Sequence, residues 1–187
     1  MMKKVVIVNV SPRKGGNSDV IAARLAEKAK DAEIRTVVFR ETPVSPCLAC
    51  NVCKGKETPF CVQKDVMGEL IPELDECDAL VLVSPIYFGR LSGPAMLFID
   101  RLYSFFAPDR ENASNATKTG KKLALVSPCG AGPADVYTKY LEETAATFGV
   151  AGFTDPKVLV CGGVNAPGEV EKHAEDMEKI DEIAAWI

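Results

Sequence analysis

Apolar positions along this chain switch repeatedly between an extended and a helical period. Residues 4–10 form a run dominated by β-branched residues, which predicts a central parallel strand covered on both faces. Ser18 then offers an N-cap, and Ile21, Leu25 and Ala29 share one face of a helix predicted to end near Asp31. A second strand is predicted at 34–39, a helix at 66–74, a strand at 79–83 and a helix at 94–106. The polar stretch 107–120 reads as a mobile connection. A strand at 122–127 precedes a helix at 135–148, with Val136, Tyr140, Thr144 and Phe148 on its apolar face. A strand at 157–161 follows, and Val170, Ala174, Met177, Ala184 and Ile187 stripe a terminal helix.

Five strands alternating with helices predict an α/β three-layer sandwich, because parallel strands need right-handed helical crossovers. Two doubly wound strand orders fit. Five strands favour 2-1-3-4-5, whose ligand crevice lies beyond the carboxyl ends of strands 1 and 3. No repeat or linker interrupts the pattern, so a single domain over 1–187 is expected, with a Cys-rich insertion at about 40–64.

Composition narrows the function classes. The 187 residues are 47% apolar and 26% charged, and the net charge of −4 argues against general nucleic-acid binding. The longest apolar runs are strand-sized, and the N-terminal one ends at Val10 before a Pro-Arg-Lys turn. No membrane span or signal peptide is expected, and the predicted location is cytoplasmic.

Three loops carry the candidate chemistry. Ser11-Pro-Arg-Lys-Gly-Gly-Asn-Ser18 joins strand 1 to helix 1, where backbone N–H groups and the helix dipole favour an anion. Gly15 and Gly16 permit close backbone approach, Ser11, Asn17 and Ser18 add neutral donors, and Arg13 adds a cationic fork. The loop suits a phosphate monoester. It contains neither GxGxxG nor GxxxxGK[ST] and no cysteine, which excludes dinucleotide, nucleoside-triphosphate and cysteine-phosphatase motifs. The loop 84–94 follows strand 3, and its Tyr87, Phe88 and Gly89 can serve a flat heterocycle or simply pack over the sheet edge. Ser127-Pro-Cys-Gly130-Ala-Gly132 would form the far wall of the same crevice, with Cys129 either a redox thiol or an inert small residue.

Seven cysteines are many for a cytosolic chain of this size. Cys47, Cys50 and Cys53 are spaced like ferredoxin ligands, and Cys61 follows after seven residues that include Pro59. Three thiols at two-residue gaps favour a [4Fe–4S] cluster over zinc, with reduced or structural cysteines as the alternative. Cys77 and Cys161 sit beside strands as small hydrophobes, and His173, the only histidine, reads as solvated. Asp100 and Arg101 suggest a structural ion pair. No Ser-His-Asp set or paired acids stand out.

Together, Ser11-Pro-Arg, Gly16-Asn-Ser18, Ser84-Pro-Ile-Tyr-Phe-Gly89, Phe98-Ile-Asp-Arg101 and the cysteines followed by Asp65 and Met67 resemble the NADPH-dependent FMN reductase and iron–sulfur flavoprotein group. The resemblance covers about residues 4–163. It implies a flavodoxin-like fold, non-covalent FMN, and dimers or tetramers with the flavin near subunit interfaces. By this likeness Ser11, Arg13, Asn17 and Ser18 hold the phosphate; Pro85, Ile86, Tyr87, Phe88 and Gly89 line the isoalloxazine, with Ser127 and Gly130 opposite. The chain departs at Val66, where many relatives carry a second acid, and in the longer gap before Cys61. The expected function is electron transfer between FMN, a cluster on Cys47, Cys50, Cys53 and Cys61, and a small-molecule or protein partner. Two alternatives are a cluster-free flavin or quinone reductase using NAD(P)H as transient donor, and a non-enzymatic anion-binding module stabilised by zinc or thiols. Residues 103–115 are suggested as part of a subunit contact.

Overall fold

A computed structural model describes residues 2–110 and 113–187. Glu111 and Asn112, which belong to the polar stretch and to the suggested subunit contact, lie outside the described residues. Strands β1 (Lys3–Asn9), β2 (Ala32–Val38), β3 (Ala79–Val83), β6 (Lys121–Cys129) and β7 (Phe153–Gly162) form one parallel sheet in the order β2-β1-β3-β6-β7. This is the order 2-1-3-4-5 of the main strands, a flavodoxin-like fold.

The period-2 pattern of the strands explains both faces. Val6, Val8, Leu80, Leu82, Leu123 and Leu125 point into one core, closed by α2 (Val66–Glu76), α3 (Gly93–Arg101) and α4 (Asp135–Ala146). Val5, Ile7, Val81, Val83, Ala124 and Val126 point into the other, closed by α1 (Asn17–Lys28) and α5 (Ala174–Trp186). A strand buried on both sides can carry apolar residues at every position, which is why these runs lack polar alternation. Proline is tolerated at Pro156, on the edge strand, and at Pro128, beyond the stretch of β6 that pairs with β3.

Several element boundaries differ from the sequence expectation. Helix α3 ends at Arg101 and tightens into a 3-10 turn at Leu102–Phe105. In α4 the buried residues are Leu141 and Ala145, continued by Phe148 in the next turn, while Val136 is exposed. Val170 lies in a separate 3-10 turn, and α5 buries Ile180, Ile183 and Ala184 with Ala174 outside. In these helices the apolar stripe is narrow, so tertiary packing chose the face. The loop after β3 contains an unpredicted antiparallel hairpin, β4 (Ile86–Tyr87) with β5 (Arg90–Leu91). In the first half of the polar stretch, Ala107 N–H donates to Ala113 O (2.9 Å) and Asn115 N–H to Phe105 O (3.0 Å).

Candidate functional site

Because all five strands run parallel, the loops after Asn9, Val38, Val83 and Cys129 emerge at the same end of the sheet. The first of these ends at Gly16, which caps α1 without a side-chain bond; Ser18, expected as the cap, lies two residues further on, inside the first turn. Capping is replaced by a network around Asp19. Its carboxylate accepts from Asn9 Nδ2 (2.6 Å), Gly15 N–H (2.7 Å) and Arg40 Nη1 (2.8 Å). Asn9 Oδ1 in turn accepts Ser11 N–H at 3.0 Å. Gly15 turns the chain at φ +68°, a conformation that favours glycine. The first α1 amides paired with backbone are those of Asp19 and Val20, on Gly16 O, so the N–H groups of Asn17 and Ser18 precede the helix ladder.

The four side chains proposed to grip an anion here differ in their freedom. Ser11 and Ser18 are buried in the loop, and Ser11 Oγ accepts Arg13 N–H at 3.2 Å. Asn17 is fully engaged elsewhere: Nδ2 donates to Val164 O (3.2 Å) and Ala166 O (3.0 Å), and Oδ1 accepts Val170 N–H (3.1 Å). What Asn17 offers an anion is its backbone N–H. Arg13 extends across the opening to Asn165 O (2.9 Å), and Asn165 Nδ2 reaches Gly130 O (3.1 Å). Asp19, Arg40 and Asn165 escaped sequence reasoning because each acts on a loop distant in sequence or through backbone.

Opposite this loop, Pro85 and Ile86 are buried and Tyr87 is half exposed. Phe88 and Gly89 form the hairpin tip at φ +50° and +75°, and the Phe88 ring is fully exposed. Two consecutive positive φ values define the hairpin turn that matches strand twist, where Asn and Gly are the usual residues. A bulky residue held there costs about 1–2 kcal/mol. Ser84 Oγ and Ser92 close the base of the loop (3.1 Å between hydroxyls), and Tyr140 OH accepts Leu91 N–H at 3.2 Å. On the third wall Ser127 Oγ is fully buried near the end of β6 and has no hydrogen-bond partner among the described residues, and Gly130 is exposed beyond it. The orphaned Ser127 hydroxyl, the unpaired α1 amides and the exposed aromatic fit a ligand with a phosphate and a flat heterocycle.

The Cys-rich loop lies beside the third helix. Cys47, Cys50, Cys53 and Cys61 line one cavity of about 20 Å³ together with Arg101, Tyr103 and Ser104. Among the described residues no group of three or more His, Cys, Asp or Glu side chains is placed to hold a metal ion. Arg101, expected to pair with Asp100, instead crosses to Asp65. Its Nη1 and Nη2 meet the two carboxylate oxygens at 2.6 and 2.8 Å, Nη1 also reaches Ser45 O (2.9 Å), and Nη2 donates to Cys61 Sγ (3.2 Å). Arg101 is 1% exposed. Burial works against its charge, but the Asp65 bonds and the neighbouring Cys61 and Asp65 charges outweigh it and hold the guanidinium above its ordinary pKa. Burial likewise opposes the Asp65 charge, and the Arg101 bonds with the Ser45 and Gly68 amides pull its carboxyl below the usual range. Burial pushes the Cys53 thiol up.

The remaining three cysteines are buried. Burial pushes Cys77 up to about 11 and Cys161 up to about 12, and Cys129 is buried with its backbone in β6. His173 is partly exposed, 3.4 Å from Asp176. No helix of the described residues is long and apolar enough to cross a membrane.

The family profile described as NADPH-dependent FMN reductase matches residues 3–158. An iron–sulfur flavoprotein of Archaeoglobus fulgidus is 30% identical over 189 residues, covering 100% of this chain and 79% of that protein. An iron–sulfur flavoprotein of Methanosarcina thermophila is 30% identical over 124 residues, covering 65% of this chain and 62% of its own length, less than two-thirds of that relative. Among solved structures, an FMN-dependent NADH-azoreductase from Bacillus anthracis in complex with FMN superposes with a TM-score of 0.69 at 17% identity, covering 98% of each chain. At that identity the likeness concerns the fold.

Proposed function

The chain belongs to the NADPH-dependent FMN reductase family, within the flavin-dependent oxidoreductases, and on that basis we propose that it is a redox protein of the iron–sulfur flavoprotein type. FMN would lie across the ends of β1, β3 and β6. Its phosphate would be held by the backbone N–H groups at the start of α1, with Ser11, Ser18 and Arg13 around it. Pro85, Ile86, Tyr87, Phe88 and Gly89 would face the isoalloxazine on one side, and Ser127 and Gly130 on the other. When bound, FMN supplies both hydride and single-electron chemistry, and the protein supplies position and electrostatics. Cys47, Cys50, Cys53 and Cys61 would hold a [4Fe–4S] cluster that carries electrons to or from a small-molecule or protein partner.

One observation carries the cluster reading: four cysteines from one loop line a single cavity together with a buried arginine that already donates to Cys61 Sγ. Thiolate donors suit iron and sulfide. Homodimers or homotetramers are part of the proposal. Exposed Leu48, Val52, Phe60 and Val62 on the Cys-rich loop, Tyr103 beside it and Phe88 at the hairpin tip support it. The whole is a one-domain reading of residues 1–187.

The experiment is anaerobic purification with a spectrum, FMN release, and iron and acid-labile sulfide analysis. A brown protein with broad absorbance near roughly 400 nm, carrying FMN, iron and sulfide, supports the reading. A second reading, a cluster-free reductase that takes hydride from NAD(P)H, is favoured by the small size of the cysteine cavity, about 20 Å³. A yellow protein that oxidises NADPH with no iron selects it. A colourless protein that cannot be reconstituted with FMN removes both.

A further inference from the structure

Two of the five buried side-chain atoms without a hydrogen-bond partner among the described residues, Arg101 Nε and Ser104 Oγ, belong to residues that line the cysteine cavity. Arg101 is the last residue of α3, and Ser104 sits in the 3-10 turn that continues it, 3% exposed. The other Arg101 nitrogens are spent on Asp65, Ser45 O and Cys61 Sγ. A buried donor left without a bond is costly, so two on residues that line the same cavity point to an acceptor beside them. With four thiols lining the same space, the acceptor that fits is sulfur carrying negative charge.

We propose that Arg101 and Ser104 are positioning residues that donate hydrogen bonds to the sulfur atoms of a cluster held by Cys47, Cys50, Cys53 and Cys61 and thereby raise its reduction potential, an inference that rests on the cluster reading above. Adding one electron from an external reductant increases the negative charge on the cluster and its sulfurs. Donors and a buried cation stabilise that state more than the oxidised one. Arg101 also closes the base of the loop, since it grips Ser45 before Cys47 and Asp65 after Cys61.

The test is Ser104→Ala in protein reconstituted anaerobically with iron and sulfide, with the cluster midpoint potential read by spectroelectrochemical titration. The equilibrium constant for one-electron reduction falls about tenfold, which is about 59 mV. The urea midpoint of the metal-free variant stays level or rises, because an unpartnered hydroxyl has been removed. A purely packing role for Ser104 moves neither potential nor charge. Arg101→Lys keeps a cation for Asp65 but cannot serve Asp65, Ser45 O and Cys61 together, and it lowers the potential as well. Unchanged potential in Ser104→Ala, with iron and sulfide retained, overturns the proposal and leaves the cluster reading standing. A destabilised metal-free Ser104→Ala overturns it too, since the hydroxyl would then be bonded within the protein. Failure of the wild-type protein to retain iron and sulfide overturns the cluster reading first and the proposal with it. If Arg101→Lys does not fold, Ser104→Ala decides alone.

Discussion

Replacing Asn17 by alanine separates two roles that sequence alone cannot separate. Its side chain makes three hydrogen bonds to the segment 164–170, at 3.2, 3.0 and 3.1 Å. Ala166 is exposed, and its carbonyl can turn to water at little cost. Val164 and Val170 are buried, so the substitution leaves a carbonyl and an N–H without partners. An orphaned buried group costs on the order of 1–3 kcal/mol, which puts the loss for Asn17→Ala near ~3 kcal/mol. For a chain of this size that is a fall of roughly 6–12 °C in Tm. The measurement is urea unfolding of the FMN-free protein followed by circular dichroism, so that ligand linkage does not enter. FMN affinity, from flavin fluorescence quenching, should weaken by less than about tenfold, because the residue 17 backbone N–H survives the change. An unchanged urea midpoint combined with lost FMN binding would refute the reasoning: the side chain would then belong to the phosphate and not to the 164–170 turn.

Three further outcomes are expected. Phe88→Asn relieves the positive-φ cost at an exposed position with no packing to lose, so the apoprotein gains about 1 kcal/mol in thermal melts while FMN binding weakens; a loss of stability contradicts the turn assignment. Burial, with the Asp176 charge nearby, pushes the Cys161 thiol from the ordinary 9.0 up to about 12, so the unfolded chain gives up its proton first as pH rises. This contribution is intact below pH 9 and is lost on rising through pH 12; at pH 10.5 it amounts to ~2 kcal/mol, visible as a steeper alkaline fall in urea midpoint for wild type than for Cys161→Ala, and parallel profiles would sink the idea. Gly152 sits at φ +81°, and a Cβ there would come within 2.1 Å of Lys118 O. Gly152→Ala should therefore cost at least ~2 kcal/mol, and a neutral substitution in chemical denaturation would exclude the clash.

The alternation of strand and helix was legible from periodicity alone, and with it the parallel sheet and the end at which its loops collect; its order was favoured by the count of five strands among two that fit. Periodicity is a local property, and a short all-apolar run such as 79–83 suits a strand covered on both faces. The residue types of a phosphate loop, an aromatic loop and a thiol cluster could be read in the same way. Which atoms of those residues are free could not, because that depends on partners far along the chain. Asn17 looked like an anion donor until 164–170 folded over it, and Asp19 gave no signal without Asn9 and Arg40. Arg101 shows the limit most plainly. Asp100 is its neighbour in sequence, but adjacent residues on a helix point about 100° apart and do not face each other. The fold turned Arg101 inward to Asp65 and Cys61, some 40 residues away, and left Asp100 in solvent. The sequence determined the layers and the loops; tertiary packing decided which side chains are already spent on the scaffold and which remain for a ligand.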